Sequence, residues 1–270
     1  MKKFIAFISM VLSAVTLFAF TACGGGNSSD LENVKKSGKL VVGVTVYDPM
    51  DYIGDDGEWT GFDAELAEEF AQKLGVTAQL VIINWNNKVA ELKSNNIDLI
   101  WNGMTASEEL GKEIDFSVSY AENKQVAVIK KSNESAINSV ETVKAASIAV
   151  EQGSAGDTVT TETLSAAKIN RVERQIDALL EVKSGASDVA IIDYTMAYSL
   201  IGKGDYEDLM IVNTDEVSFE REIFAVGLRK GSDLKAELDT FLKGKFADGS
   251  LTALAQKYEG VALNEEALKG

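Results

Sequence analysis

The chain has 270 residues, 46% hydrophobic and 25% charged, with one Pro, one Cys and no His, and 26 Lys and Arg against 42 Asp and Glu leave a formal charge of −16. That length allows one large domain or two modest ones, each with its own core. The acidic balance argues against nucleic acid and anionic lipid headgroups as partners, and the missing His removes the commonest general base and transition-metal ligand.

Lys2 and Lys3 precede an apolar run from Phe4 to Phe20, and the small residues Thr21 and Ala22 lead to Cys23. A basic start, a hydrophobic stretch and a small-residue cleavage region make a secretory signal over residues 1–23. The run of about 17 residues is at the lower edge of what spans a bilayer, so a retained membrane anchor is the alternative. A single cysteine excludes a disulfide within the chain. The GGGNSSD that follows predicts a flexible polar tether over 24–36.

From Leu40 apolar runs alternate with amphipathic stretches. LVVGVTV (40–46) reads as a buried strand, and FDAELAEEFAQKLG (62–75) sets Phe62, Leu66, Phe70 and Leu74 at helical spacing and stops at Gly75. Strands follow at 78–83 and 97–101, with a short helix at 88–95 between them. After Tyr120 the rhythm restarts. Strands are predicted at 125–130, 147–151, 168–173 and 188–193, separated by helices at 140–146, 156–167 and 175–184. A helical piece near 197–202, an extended LMIVN (209–213), a strand with a turn in IFAVGLRKG (223–231) and helices at 233–247 and 250–258 complete the chain. Strand, helix, strand at this spacing argues for βαβ units and a mostly parallel sheet in each half. Whether the last strand joins the first half or the second stays open.

The ordered motifs GKLVVGV, DPMDY, GEWTGFDAELA, INWNN, IDLIWNGMT, IDFSVSY, VEQGSAG, DVAIIDY and AVGLRKG resemble the amino-acid-binding proteins of ABC importers, extracellular solute-binding family 3, from about Ser37 to Tyr258. The resemblance implies an α/β, two-lobed, periplasmic-binding-protein-like fold, each lobe a mostly parallel sheet flanked by helices, with the ligand in the cleft between them. By analogy lobe 1 holds 37–121 and 219–270 and lobe 2 holds 125–216, with crossovers near 121–124 and 216–218. Closure is a hinge motion about such residues. Phe20-Thr21-Ala22-Cys23 resembles a lipobox, with Phe20 where Leu is usual. Cys23 would then be lipidated and anchor an exported domain to the outer face of the membrane.

In open α/β sheets ligands lie beyond the carboxyl ends of the strands. That rule selects Tyr47-Asp48, Asn84-Trp85, Asn102-Gly103-Met104-Thr105, Gln152-Gly153-Ser154 and Asp193-Tyr194, the loops where the family gathers its contacts. Tyr47 and Trp85 match the family's aromatic rings, which can sandwich an aliphatic or cationic group; each could instead fill the core, as Tyr52 and Trp59 more readily would. Gly103 allows close approach to the backbone. Thr105 offers a hydroxyl, and it or Ser107 could equally cap a helix. Asp193 matches the carboxylate that receives the ligand's ammonium, with a helix cap as its alternative role, and Glu151 is a further acid.

The family also clamps the ligand's α-carboxylate with an Arg, suited to bidentate contact. That position is Leu110 here, and the family's second carboxylate contact, a hydroxyl, is Ala155. The family's early Asp is not evident, with Asp48 as a substitute, and Lys112 and Arg174 are candidates for a relocated cation. The expected ligand set is therefore Tyr47, Asp48, Trp85, Asn102, Gly103, Thr105, Glu151, Ser154 and Asp193, a pocket biased toward an amino acid or amine-bearing solute. A binding protein that hands its solute to an ABC permease is expected, as a monomer, with no cofactor and no metal. The alternatives are an enzyme on the same scaffold, resembling cyclohexadienyl dehydratases, and a ligand-sensing domain. Without His or a pocket Cys, no acid–base or nucleophile pair stands out for the enzyme.

Overall fold

Two separate sheets account for the β-structure around the cleft, and each is assembled from the Val-, Ile- and Leu-rich runs. The computed structural model describes residues 29–166, 168–212 and 219–270. The export segment, Cys23 and the expected crossover at 216–218 lie outside them. In the first sheet Lys39–Val44 lies between Thr77–Ile82 and Leu99–Ile100, parallel to both, and Gly227–Leu228 follows, antiparallel to Leu99–Ile100 and to Asp115–Phe116. In the second, Val189–Asp193 lies parallel to Ser147–Glu151, itself parallel to Lys168–Val172, and antiparallel to the long strand Ala121–Lys130, whose other edge carries Leu209–Ile211. The antiparallel strands are those that enter a sheet from the other half of the molecule, where no crossover helix is available to reverse the chain.

The long strand Ala121–Lys130 belongs to both halves. Its first four residues pair with Arg221–Phe224, and Ala262–Leu263 pairs with Glu122 and Ala121. These two antiparallel segments carry the chain from one sheet to the other and back. Gly227–Leu228 then places the final strand in the first sheet, which answers the question the sequence leaves open. Helices Leu234–Ala247 and Ser250–Lys257 pack behind it.

The helix Phe62–Leu74 buries Phe62, Leu66, Phe70 and Leu74, and Gly75 at φ 77° closes it by donating its N–H to the carbonyls of Ala71 and Gln72. Phe70 meets Trp101 and Phe241 at ring-centroid distances of 6.4 and 5.4 Å, so the strand end at Trp101 is fixed by aromatic packing from behind. In the second half the segment expected as one helix over 156–167 is an α-turn at Ala155–Thr158 that widens into a π-turn at Val159–Thr163. There the Thr160 hydroxyl donates to the Gly156 carbonyl at 2.7 Å, a competing bond of the kind that loosens a helical ladder.

The tether predicted over 24–36 needs correction from Asp30 onward, because Asp30–Ser37 is a helix. Ser29 caps it by accepting from the Glu32 N–H at 3.0 Å, acids occupy its first turn, lysines its last, and Gly38 closes it at φ 72°. Val34 is buried in the core. Arg229 anchors the helix: its guanidinium donates to Asp30 at 3.0 Å, to Asp98 at 3.2 Å and to the carbonyls of Leu92 and Ile97 at 3.1 and 2.7 Å. With only 14% of the Arg229 side chain exposed, its removal leaves partners unmatched. Arg229→Ala is expected to cost about 3 kcal/mol, toward the lower end for a broken buried ion pair, measured as a lower urea midpoint at unchanged slope.

Candidate functional site

Strand ends from both sheets meet at a small enclosed cavity of about 20 Å³, room for about one water. Tyr47, Trp85, Asn102, Gly103 and Thr105 reach it from the first half, and Glu151, Ser154, Ala155, Gln175 and Asp193 from the second. Eight of the nine expected positions are thus brought together, and Asp48 is the exception. Its carboxylate accepts from the Ser199 hydroxyl at 2.6 Å, a bond between the two halves rather than a wall of the cavity.

Asp193 ends its strand and is 5% exposed. One oxygen accepts from the side-chain amides of Asn123 and Gln125 at 2.5 and 2.6 Å, the other accepts from Gln175, and the backbone N–H of Asp193 donates to the Gln175 carbonyl oxygen at 2.9 Å. Its side chain therefore caps no helix. The same two amides, Asn123 and Gln125, donate to Glu222 at 3.1 and 3.0 Å, and the Thr105 hydroxyl donates to Glu222 at 2.9 Å. Two carboxylates share two amide donors. Burial raises the pKa of both, and Asp193 pushes Glu222 further in the same direction.

Glu151 adds a third acid. One of its oxygens is buried without a hydrogen-bond partner. Burial, then Asp193, lift its pKa well above the usual range, against the pull of Lys88. Lys88 is the cation that sequence reasoning missed. Its ammonium donates to the Gly153 carbonyl at 2.8 Å across the cleft and to the Trp85 carbonyl at 3.3 Å, and lies 4.8 Å from the Trp85 ring centroid. Burial lowers its pKa to about 8, opposed by Glu151. The expected relocated cations sit elsewhere: Arg174 is paired with Asp177 at 2.6 Å, and Lys112 is exposed on an outer groove.

Both expected aromatic rings, Tyr47 and Trp85, line the cavity, each with protein neighbours of its own. Trp85 presents one face to Lys88, and Tyr47 is 2% exposed, its ring so close to Gly103 that a Cβ there would lie 2.7 Å from it. Gly103 stands at φ 53°, so it allows both the left-handed turn and the close approach. The Asn102 side chain is fully engaged: its oxygen accepts from the Thr45 N–H and hydroxyl at 3.0 and 2.8 Å, and its amide donates to the Thr45 carbonyl and to Asp51 at 3.0 and 2.7 Å. No side-chain group of Asn102 is left for a ligand. Ser107, not Thr105, caps the next helix by accepting from Leu110 N–H at 3.2 Å. The Ser154 oxygen accepts from Asp157 N–H at 3.2 Å and keeps its own proton to donate.

Beneath the loop lies a second buried acid pair. Asp63 accepts from Gly103 N–H at 2.7 Å and from the Tyr120 hydroxyl at 2.8 Å. Burial raises it to about 7 despite those bonds, and Asp51 is raised by burial and by Asp63. Asn123 and Gln125 fall on the inward face of their strand, where 121, 123 and 125 are buried while 122 and 124 are not, and Glu222 alternates with the exposed Arg221 and Ile223 in the same way. A period of two that sets polar residues on one strand face is the pattern that could have pointed to them. Among the described residues no cluster of His, Cys, Asp or Glu is arranged to hold a metal ion.

Five acids, Asp51, Asp63, Glu151, Asp193 and Glu222, are thus raised above their unfolded values, with burial the largest cause in each. A raised carboxyl binds more protons folded than unfolded, so it removes stability as pH climbs from the unfolded to the folded pKa. For Asp63 that window runs from 3.8 to about 7. Acids held low, such as Asp115 by the Gly231 N–H and Lys230 and Asp188 by Ser147, act oppositely and at lower pH. The thermal midpoint of the unliganded protein is therefore expected to fall between about pH 5 and about pH 8. Asp63→Asn should flatten part of that slope in scanning calorimetry.

Similarities to known proteins give the family. Residues 40–261 match the family model described as bacterial extracellular solute-binding proteins, family 3. The chain is 32% identical over 233 residues to the L-cystine-binding protein TcyJ of Escherichia coli, covering 85% of this chain and 86% of that protein. It is 31% identical over 261 residues to the arginine-binding extracellular protein ArtP of Bacillus subtilis, covering 96% and 98%. Among solved structures, a substrate-binding protein of an ABC uptake transporter from Streptococcus pneumoniae with bound histidine superposes at a TM-score of 0.79, with 30% identity over 87% of this chain and 98% of that one. An ancestral amino acid-binding protein, a precursor of cyclohexadienyl dehydratase, reaches 0.77 with 30% identity over 85% and 99%. With the family model spanning residues 40–261, this chain belongs to the bacterial extracellular solute-binding proteins of family 3.

Proposed function

We propose that the protein captures a small, positively charged, amine-bearing solute between its two lobes and delivers it to an ABC permease, held at the outer face of the membrane by a lipid on Cys23. The observation that carries the ligand charge is the convergence of Glu151, Asp193 and Glu222 on the cleft with Lys88 as the cation beside them. Buried like charges are costly unless a cation arrives. A solute ammonium or guanidinium would supply it and would take over part of the donor work now done by Asn123, Gln125 and Gln175. Thr105, Ser154, Glu151, Asp193 and Glu222 are the proposed contacts, with Gly103 lending backbone. Asp48 and the Asn102 side chain serve closure and loop support instead.

The inner space of about 20 Å³ takes no more than about one water and continues into a bay of about 440 Å³ that shares Thr105, Ser154 and Ala155 with it, so passage of a solute's charged end inward to Asp193 requires the lobes to part. The paired crossing segments Ala121–Lys124 and Arg221–Phe224 provide the hinge, since a few strand-end residues can absorb the rotation. Lys88 to Gly153 and Ser199 to Asp48 are the bonds that closure makes and opening breaks.

A second reading keeps an ordinary amino acid as ligand. Lys88 favours it, because its ammonium lies beside the cleft and two of its three protons are already directed at carbonyls, leaving one for a carboxylate. The named relatives include a cystine-binding and an arginine-binding protein and a substrate-binding protein with bound histidine. Catalysis is not part of the proposal.

Thermal shift against amines, guanidines, quaternary ammonium compounds and amino acids ranks the solutes, since a ligand of the folded state raises the midpoint by mass action. Asp193→Asn is expected to weaken the best cationic solute by about 2–5 kcal/mol. Equal affinity in wild type and variant would sink the ligand reading. For the anchor, Cys23→Ala should shift the protein from the membrane fraction to the medium. Continued membrane retention would count for an uncleaved span.

A further inference from the structure

Beside the cleft lies a larger bay of about 440 Å³ that shares Thr105, Ser154 and Ala155 with the enclosed cavity and has Glu222 in its wall. Its apolar sides come from both lobes. Leu110 and Val89 sit on the edge of the cluster formed by Trp85, Leu92, Ile97 and their neighbours, and Val159 sits on the edge of the cluster around Ile148, Val150 and Ile191. All three are only half-buried.

We propose that this bay takes the apolar arm of the solute, whose charge sits at the Glu222 end, so that the preferred ligand is an amine with an aliphatic or similarly apolar substituent and no carboxylate beside the amine. The proposal rests on the cationic reading above and narrows it. Space is the first argument: the enclosed cavity holds about one water, so the bulk of any organic solute must lie in the adjoining bay of about 440 Å³, within the range of small-molecule sites. Polarity is the second. The end nearest the hinge carries a carboxylate whose donors are two amides and a hydroxyl, while the walls further out are Leu110, Val89 and Val159. Charge is the third. At the mouth stand Glu109 and Glu113, the latter paired with Lys93, so a second anion on the solute meets acids rather than a guanidinium. The ammonium of Lys88, in the same wall, spends two of its three protons on the Gly153 and Trp85 carbonyls, so a carboxylate there meets one N–H rather than a bidentate fork. Walls from both lobes also give the arm a part in closure, since apolar surface is covered on both sides only when the lobes meet.

Isothermal titration of the exported protein with methyl-, propyl- and pentylammonium and with norleucine tests this, because norleucine is pentylamine with a carboxylate added to the amine-bearing carbon. Affinity is expected to rise about fourfold per methylene, the ratio for burying one CH₂. Norleucine should bind at least about tenfold more weakly than pentylammonium, because its carboxylate meets Glu109 and Glu113 and at most one proton of Lys88 in place of a guanidinium fork. Leu110→Ser and, as an independent variant in the other lobe, Val159→Ser should each reduce the dependence on chain length. A flat series would overturn the bay while leaving the cationic site standing. Tighter binding of norleucine would overturn the exclusion of the carboxylate and point to Lys88 as its holder. Failure of every amine to bind would remove the cationic reading and this inference together.

Discussion

Two carboxylates on different segments, Asp193 from the second sheet and Glu222 from the returning crossover strand, are held against each other by the same pair of amides, Asn123 and Gln125. Much of the cleft depends on this arrangement. The amides project from Ala121–Lys130, the strand that belongs to both halves, so the site is built on the segment that joins them. Like charges in a buried place repel, and only the shared donors or a proton make the pair tolerable. On the cationic reading proposed above, a solute ammonium between the lobes would relieve that repulsion. Ligand charge would then be coupled to closure through the difference in affinity between open and closed states, the means by which a ligand shifts such an equilibrium.

The first lobe supports this with rigid backing. Asn102 uses every hydrogen-bonding group to join the loop to Thr45 and Asp51, and Asp63 holds Gly103 from below. Trp101, packed against Phe70 and Tyr120, fixes the strand end from which the loop springs. Such buried polar support determines where Thr105 stands to within hydrogen-bond reach of Glu222, at a cost in acids that burial holds partly neutral. Leu110, where the resemblance places an arginine, makes part of the outer wall apolar. Under the proposed reading, discrimination there would rest not on a guanidinium–carboxylate fork but on shape and burial, which distinguish solutes less steeply per group.

The strands, the long helices and their glycine stops follow from local patterns: Phe62–Leu74 ends at Gly75 and Gln175–Ser184 at Gly185, each in the left-handed conformation that suits glycine. The loops at the strand ends, and most of the residues that gather there, follow from the general rule that ligands lie beyond the carboxyl ends of open sheets. The helix at Asp30–Ser37 was harder to see, because its stability comes from Arg229, 199 positions away from Asp30, and from the burial of one side chain, Val34. Short helices take most of their stability from tertiary packing.

By itself, then, the sequence determined the alternation of strands and helices, the acidic character, the family and the list of strand-end loops, all of which rest on local composition, spacing and order. Tertiary structure decided which of those residues keep a group free for a solute. Asn102 and Asp48 are engaged by the protein itself, while Glu222 and Lys88, separated by more than a hundred positions from each other, come to the same cleft. It also decided that the space available lies mainly between Leu110, Val89 and Val159. The physical reason is that hydrogen-bond satisfaction, desolvation and cavity shape depend on neighbours brought in from distant parts of the chain, which no local pattern encodes.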